Sequence, residues 1–178
     1  GEYYVSMSYK PMINDQLKIK IYNIDYFMQW GTPEDLKDYL YYSNLFKRKI
    51  NILKGSDYIH NMTLVLPAAG LGKRFLDDGF LTPKPFIEVS NKPMIVQAIN
   101  DLPATLKKKV ILRKDLKNLK LSKIKLKSSF SNVSIHLTNT ITNGQAATSL
   151  IGLDDIDVNS PLLISACDNG AIYNQNKF

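Results

Sequence analysis

A chain of 178 residues, 44% of them hydrophobic and 22% charged, has apolar material for the core of one soluble globular domain, or of parts of two. No apolar run approaches the length of a membrane span, the opening Gly1-Glu2-Tyr3-Tyr4 lacks a charged-then-apolar signal layout, and a single cysteine, Cys167, excludes an internal disulfide framework. A reducing, cytoplasmic setting is therefore expected. The net charge of +7 lies after residue 61, since residues 1–61 carry eight Lys/Arg against seven Asp/Glu, and most of the excess falls between Lys107 and Lys127. That stretch holds no aromatic residue on which a base could stack, so a solvated lysine-rich surface is preferred to a nucleic-acid patch. Neither nucleic acid nor a membrane is expected as a partner.

In chain order, Leu17–Tyr26 alternates apolar and polar residues and predicts a strand with one wet face. Thr32 is a good N-cap, Pro33 fits the first helical position, and Glu34 and Asp35 suit the positive end of the dipole. A helix is expected to about Lys47, burying Leu36, Tyr39, Leu40 and Phe46, with Lys47-Arg48-Lys49 at its carboxyl end. Gly55-Ser56-Asp57 marks a turn, and residues 49–61 read as a linker. Beyond it, Leu64-Val65-Leu66 is a buried strand and Phe86–Val89 an extended run, after which Pro93 opens a helix. Val110–Leu112, Val133–Leu137 and Leu162–Ala166 are further strands, with helices expected over 114–121 and 145–153. Strands alternating with helices predict a mainly parallel sheet with flanking helices.

The stretch Leu64–Lys84 organises the chain. A buried strand breaks at Pro67 and passes through Ala68-Ala69-Gly70-Leu71-Gly72 to Lys73 and Arg74, with Lys84 between two prolines downstream. A small-residue loop between strand and cations is a place to hold phosphates. A Walker loop is excluded, because Pro67 stands where its first glycine belongs and Arg74 where Ser or Thr belongs. The dinucleotide fingerprint is excluded by Phe75 at its third glycine. A packing turn of small residues is the plainer reading, but three cations converging on one loop would repel without an anionic ligand.

Leu66–Arg74, followed by Pro83-Lys84-Pro85 and Asn91-Lys92-Pro93-Met94-Ile95, resembles the opening of the nucleotidyltransferase family, of the sugar-phosphate or NDP-sugar pyrophosphorylase type. Thr142–Thr148 resembles the family's base-and-sugar contact, and Cys167-Asp168-Asn169-Gly170 its metal-binding aspartate at a strand end. The resemblance covers residues 62–178. It implies an α/β, Rossmann-like sheet of the nucleotide-diphospho-sugar transferase type, and a magnesium-dependent transfer. A phosphate oxygen of a small phosphorylated acceptor, by default a sugar 1-phosphate, attacks the α-phosphorus of a nucleoside triphosphate and pyrophosphate leaves. In that reading Ala68, Ala69, Gly70, Leu71, Gly72 and Lys73, with Gly144 and Gln145, bind the nucleotide. Arg74 and Lys84 are catalytic, neutralising the leaving pyrophosphate and bridging the α-phosphate to the acceptor. Asp168 holds Mg2+. Elsewhere, Cys167 reads as a buried thiol rather than a nucleophile, His60 and His136 share no metal-ligand spacing, and Asp154, Asp155 and Asp157 read as a solvated loop.

Residues 1–48 also resemble this family, but its carboxyl end. Gly31-Thr32-Pro33 is similar to the stretch that leads into the family's last helix, and many members carry a metal-binding aspartate close to the position of Gln29. A neutral amide is a poorer magnesium ligand, which puts that role in doubt. The order is tail first and head second, so the chain is expected to be an incomplete example of the fold. It would be the end of one transferase domain, a linker, and the nucleotide-binding start of another in residues 62–178. Docking of residues 1–48 onto the second unit as a permuted partner is the rarer arrangement, and self-association or docking with missing parts is a further expectation. A nucleotide-binding or regulatory module without turnover is the competing function.

Overall fold

The computed structural model of the chain describes residues 7, 9–46, 59–139 and 141–172. In order these form α1 (Tyr9–Asn14), β1 (Tyr26–Gln29), α2 (Pro33–Phe46), β2 (His60–Pro67), α3 (Lys73–Asp77), a 3-10 turn (Lys84–Phe86), β3 (Glu88–Val89), β4 (Lys92–Pro93) and α4 (Met94–Asn100). β5 (Thr105–Arg113), α5 (Leu119–Ser129), β6 (Val133–Thr138), α6 (Gln145–Leu150), β7 (Leu162–Ile164) and β8 (Asn169–Ile172) follow. The cationic cluster 47–49, the Gly55 turn, most of the expected linker and the side chain of Phe46 lie outside the described residues.

The fold is α/β. Its centre is a four-stranded parallel sheet in the order β6-β5-β2-β7, flanked by helices. A strand covered on both faces is apolar at successive positions, which is why β2 reads Leu-Val-Leu and β5 Val-Ile-Leu. Leu64, Leu66, Val110 and Leu112 pack with Ile95, Val96 and Ile99 of α4 and Leu126 of α5. Val65 and Ile111 turn the other way, against Ile151, Leu153 and Ile156 beyond α6. There the chain passes so close to the sheet that a Cβ on Gly152 would stand 3.0 Å from both Ile111 Cδ1 and Val65 Cγ1.

The amino-terminal segment packs onto this unit. β1 pairs antiparallel with β8, setting Gln29 opposite Asn169 and Met28 opposite Gly170, and does not join the edge of the four-stranded sheet. Trp30, fully buried, packs in one cluster with Leu36, Phe75, Ile87, Val89, Met94 and Ala98. Its ring lies against Gly170, where a Cβ would come within 2.6 Å of Trp30 Cζ2. The predicted cap of α2 forms, with the Asp35 N–H donating to Thr32 Oγ1 at 3.1 Å. Tyr39 packs against Trp30 with centroids 4.8 Å apart and the rings tilted by 59°, and its hydroxyl meets Ser90 Oγ at 3.0 Å.

Local expectations shift along the chain, and Phe86, expected in an extended run, closes the 3-10 turn before β3. Leu17–Ile24 forms no strand, and pairing begins only at Tyr26. Its alternation needs a cover for the apolar face, yet Ile21 is 85% exposed. Leu40, placed inside by helical spacing, lies on the exposed side of α2. The helix expected over 114–121 runs from Leu119 to Ser129 instead, because Leu116 plugs the core and Asn118 adopts a left-handed turn before it. α6 and β7 stop at Leu150 and Ile164, short of the expected Leu153 and Ala166.

Candidate active site at the carboxyl edge of the sheet

Across the sheet the parallel strands lie third, second, first and fourth in chain order, so the direction of winding reverses between β2 and β7. Such a reversal leaves a crevice outside the carboxyl ends of the strands. The glycine loop leaves β2 on one side of it, and the path from β7 to Asp168 forms the other. A cleft of about 940 Å³ fills the space, lined by the glycine loop, Lys84, Thr142–Gln145, Asp168 and, from the amino-terminal segment, Gln29 and Gly31.

Within the loop, Ala68 and Ala69 are buried, and the Ala68 N–H is already taken by the Ile111 carbonyl at 2.9 Å. Ala68 therefore contributes its position rather than its amide. Leu71 is 46% exposed and is not among the cleft residues. Gly72 has φ +63°, and a Cβ there would stand 2.8 Å from Lys84 Cβ. Glycine at this position permits both the left-handed turn and the close approach of the lysine stem. α3 then starts with Lys73 and Arg74 exposed at the cleft, anchored by the buried Phe75.

Lys84 sits in the 3-10 turn between Pro83 and Pro85 and forms an ion pair with Asp168. The two side chains are 20% and 11% exposed. The Asp168 carbonyl accepts the Trp30 backbone N–H at 2.8 Å, which fixes the carboxylate's backbone to the amino-terminal segment. A Cβ on Gly31 would lie 3.4 Å from Asp168 Oδ2 and 3.3 Å from Gln29 Nε2, so the carboxylate and the amide share one wall. Elsewhere in the cleft lining Gly144 takes φ +98°, ψ 179°, a conformation open to glycine, and starts α6 with Gln145 exposed beside it. The Thr148 hydroxyl ties that turn by donating to the Gly144 carbonyl at 3.0 Å.

Arg74, Lys84, Ala68, Ala69, Gly70, Gly72, Lys73, Gly144, Gln145 and Asp168 thus line one cleft, and Leu71 does not. Gly31 and Ile141 line it as well. The Gly-Thr-Pro stretch singled out Gly31 as a motif residue, but only the β1–β8 pairing brings it to Asp168.

Cys167 lies next to Asp168 but is buried, and burial pushes its thiol up to about 12, with the Asp168 charge adding to the effect. That is a structural thiol, not a nucleophile. Among the described residues no three His, Cys, Asp or Glu side chains cluster as a metal site. One buried carboxylate beside one amide fits a hard cation that brings most of its oxygen ligands with it on a polyphosphate, rather than an all-protein cage.

The lysine-rich stretch is partly consumed in structure. Lys108 Nζ donates to the Thr105 carbonyl at 2.9 Å and to Asn132 Oδ1 at 3.2 Å, and Lys109 pairs with Asp155. Burial pulls both ammonium groups below the usual lysine range.

Fold and crevice define an α/β chain with a cleft at the winding reversal of a parallel sheet. It is similar in structure to the nucleoside-diphosphate-sugar pyrophosphorylase of Vibrio cholerae RC9, with 20% identity and a TM-score of 0.48 over 58% of this chain and 46% of that one. It is also similar to the 4-diphosphocytidyl-2C-methyl-D-erythritol synthase of Anaerococcus prevotii DSM 20548, with 19% identity and a TM-score of 0.43 over 60% of this chain and 43% of that one. The chain spans less than half the length of either protein. No model of a protein family matches the sequence, and no curated protein matches it.

Proposed function

We propose that this chain carries the nucleotide-binding half of a nucleotidyltransferase, which transfers a nucleotidyl group from a nucleoside triphosphate to a sugar 1-phosphate or a similar small phosphorylated acceptor. The observation that supports it is the meeting, across one crevice, of the glycine loop with Lys73 and Arg74, the Lys84–Asp168 pair and the Gly144 turn. A phosphate oxygen of the acceptor bonds to the α-phosphorus as the bond to the β-phosphate oxygen breaks, and pyrophosphate leaves.

No protein nucleophile is required, so the residues act by position and charge. Amides of the glycine loop cradle the triphosphate. Arg74, with Lys73, offsets the charge gathering on the leaving pyrophosphate. Lys84 spans the α-phosphate and the acceptor phosphate. Gly144 and Gln145 face the base and sugar. Asp168 is the residue that would hold magnesium, which when bound neutralises phosphate charge. Gln29 lines the same wall with no charge of its own.

The test is calorimetric titration of the purified chain with the four nucleoside triphosphates, with and without magnesium, beside a pyrophosphate-release assay with a panel of sugar phosphates. At least one triphosphate should bind, with turnover weak or undetectable in this chain alone. Failure of every triphosphate to bind would end this reading. Robust pyrophosphate release by the chain would overturn the expectation that it is incomplete.

A further inference from the structure

We propose that Asp168 and a polyphosphate compete for one ammonium group, that of Lys84, so that the pair neutralises itself until an anion binds and opens it. The inference rests on reading the cleft as a triphosphate site and concerns how that site is regulated. Lys84 and Asp168, 84 positions apart in the chain, form their ion pair in the lining of the cleft. Both backbones are held. Lys84 lies in a turn closed by the Phe86 N–H bonding to the Pro83 carbonyl at 2.8 Å and the Ile87 N–H to the Lys84 carbonyl at 3.2 Å. Asp168 is tied through its carbonyl to the Trp30 backbone N–H. The pair can therefore part by side-chain torsions alone, without moving either element.

The alternative station for the ammonium is adjacent. The stem of Lys84 packs directly on Gly72, where a Cβ would come within 2.8 Å of Lys84 Cβ, and Gly72 closes the small-residue loop. A phosphate seated on that loop lies within the swing of the same side chain. Lys73 and Arg74, exposed at the cleft, draw the anion in before Lys84 moves. Gln29, the other polar side chain on the Asp168 wall, is uncharged and so does not compete for the ammonium. Once Lys84 turns to the phosphate, Asp168 is left as a hard oxygen ligand facing the same anion. Polyphosphate and a divalent cation then favour each other's binding, by reciprocal linkage.

The probe is sodium tripolyphosphate in EDTA, titrated calorimetrically into the full chain as wild type, Asp168→Asn, Lys84→Met and the double variant. Asp168→Asn should tighten binding about 10-fold by removing the competitor, and Lys84→Met should weaken it about 10-fold. In the Lys84→Met background, Asp168→Asn should change affinity less than about 3-fold, because the cycle isolates the coupling. An equal gain in both backgrounds would mean plain charge repulsion and overturn the proposal, as would no gain in either. If neither wild type nor Asp168→Asn binds tripolyphosphate, the latch falls, and the triphosphate reading falls with it only when every nucleoside triphosphate also fails to bind with magnesium; binding without the gain removes the latch alone. Should a variant not fold, carbon NMR of the wild-type Asp168 carboxyl decides the matter: its resonance should shift as tripolyphosphate is added, and a resonance that stays put while the anion binds would overturn the latch.

Discussion

The amino end of the parallel sheet and the cleft at its carboxyl end treat charge differently. At the amino end, polar groups are satisfied within the structure: Lys108 is bonded to Thr105 and Asn132, Lys109 to Asp155, and Asp101 accepts a hydrogen bond from Gln97 Nε2 at 2.8 Å. At the carboxyl end, Lys73 and Arg74 stand exposed at the cleft, and the Lys84–Asp168 pair is reached from it. Buried charge that finds its partner nearby belongs to the architecture. Exposed charge beside a glycine loop is what the proposed ligand would meet.

The largest effect that would break this contrast is expected at Trp30, which joins the amino-terminal segment to the carboxyl end. Trp30→Ala should cost about 3–5 kcal/mol by opening a cavity in a fully buried cluster. Hydrogen exchange should show lost amide protection in 26–46 and 168–172, while β5 stays protected. A uniform loss would mean that the two ends are not separable. Next comes Lys84→Ala, expected to lower turnover about 10²- to 10³-fold wherever turnover can be measured, as when a group stabilising transition-state charge is removed. Lys108→Met at the other end should leave turnover unchanged in the same assay.

How much of this contrast is legible in the sequence depends on the range of the interactions. β2, the apolar run of β5 and the glycine loop are plain from local pattern, because a strand covered on both faces favours apolar residues at successive positions and the left-handed turn at Gly72, with Lys84 packed on it, favours glycine. The cap at Thr32 is equally local. The pairing of Lys84 with Asp168 and the arrival of Gln29 and Gly31 beside it depend on contacts more than eighty residues apart, and no period or spacing encodes them. α5 is displaced for a related reason. Its buried face is Ser122 and Leu126, a weak apolar signal among lysines, and its start is set by Leu116 reaching the core. Leu17–Ile24 shows the reverse failure, a clean alternating pattern without a partner strand.

A pH experiment sharpens the amino end. Asp101 closes α4, and burial raises its carboxyl from 3.8 to about 6, with the Gln97 hydrogen bond and the Lys92 charge opposing that rise. A carboxyl whose pKa is higher folded than unfolded binds protons more tightly in the folded chain, so stability falls as pH rises from about 4 to about 6 and stays lower above it. Asp101→Asn keeps an acceptor for Gln97 and removes the buried charge. It should stabilise the chain by about 1–2 kcal/mol at pH 8 and by little at pH 4. Thermal melts of the two proteins across that range should converge on the acid side, and parallel curves would show that Asp101 is not the group responsible.

The smallest expected effect concerns Lys109 and Asp155. Lys109 is nearly buried, at 7% side-chain exposure, while Asp155 is 70% exposed, so the pair forms where water reaches one partner. An ion pair of this kind gains little in water, and the lysine still bears the desolvation of its ammonium. Lys109→Met keeps an aliphatic stem at a position paired in register with Val65 and removes the buried charge. Its stability should lie within about 1 kcal/mol of wild type, on the stabilising side if desolvation outweighs the pair. The carboxyl-end pair behaves differently if its partners are reserved for a ligand. Lys84→Met leaves the buried Asp168 carboxylate without its partner and should itself lower thermal stability in the absence of anions, and it should also abolish most of the further stabilisation that tripolyphosphate gives the wild type, whereas Lys109→Met should retain all of that stabilisation. Equal loss of ligand stabilisation in both variants would mean that the two lysines serve the same general positive field, and the contrast between the ends of the sheet would disappear.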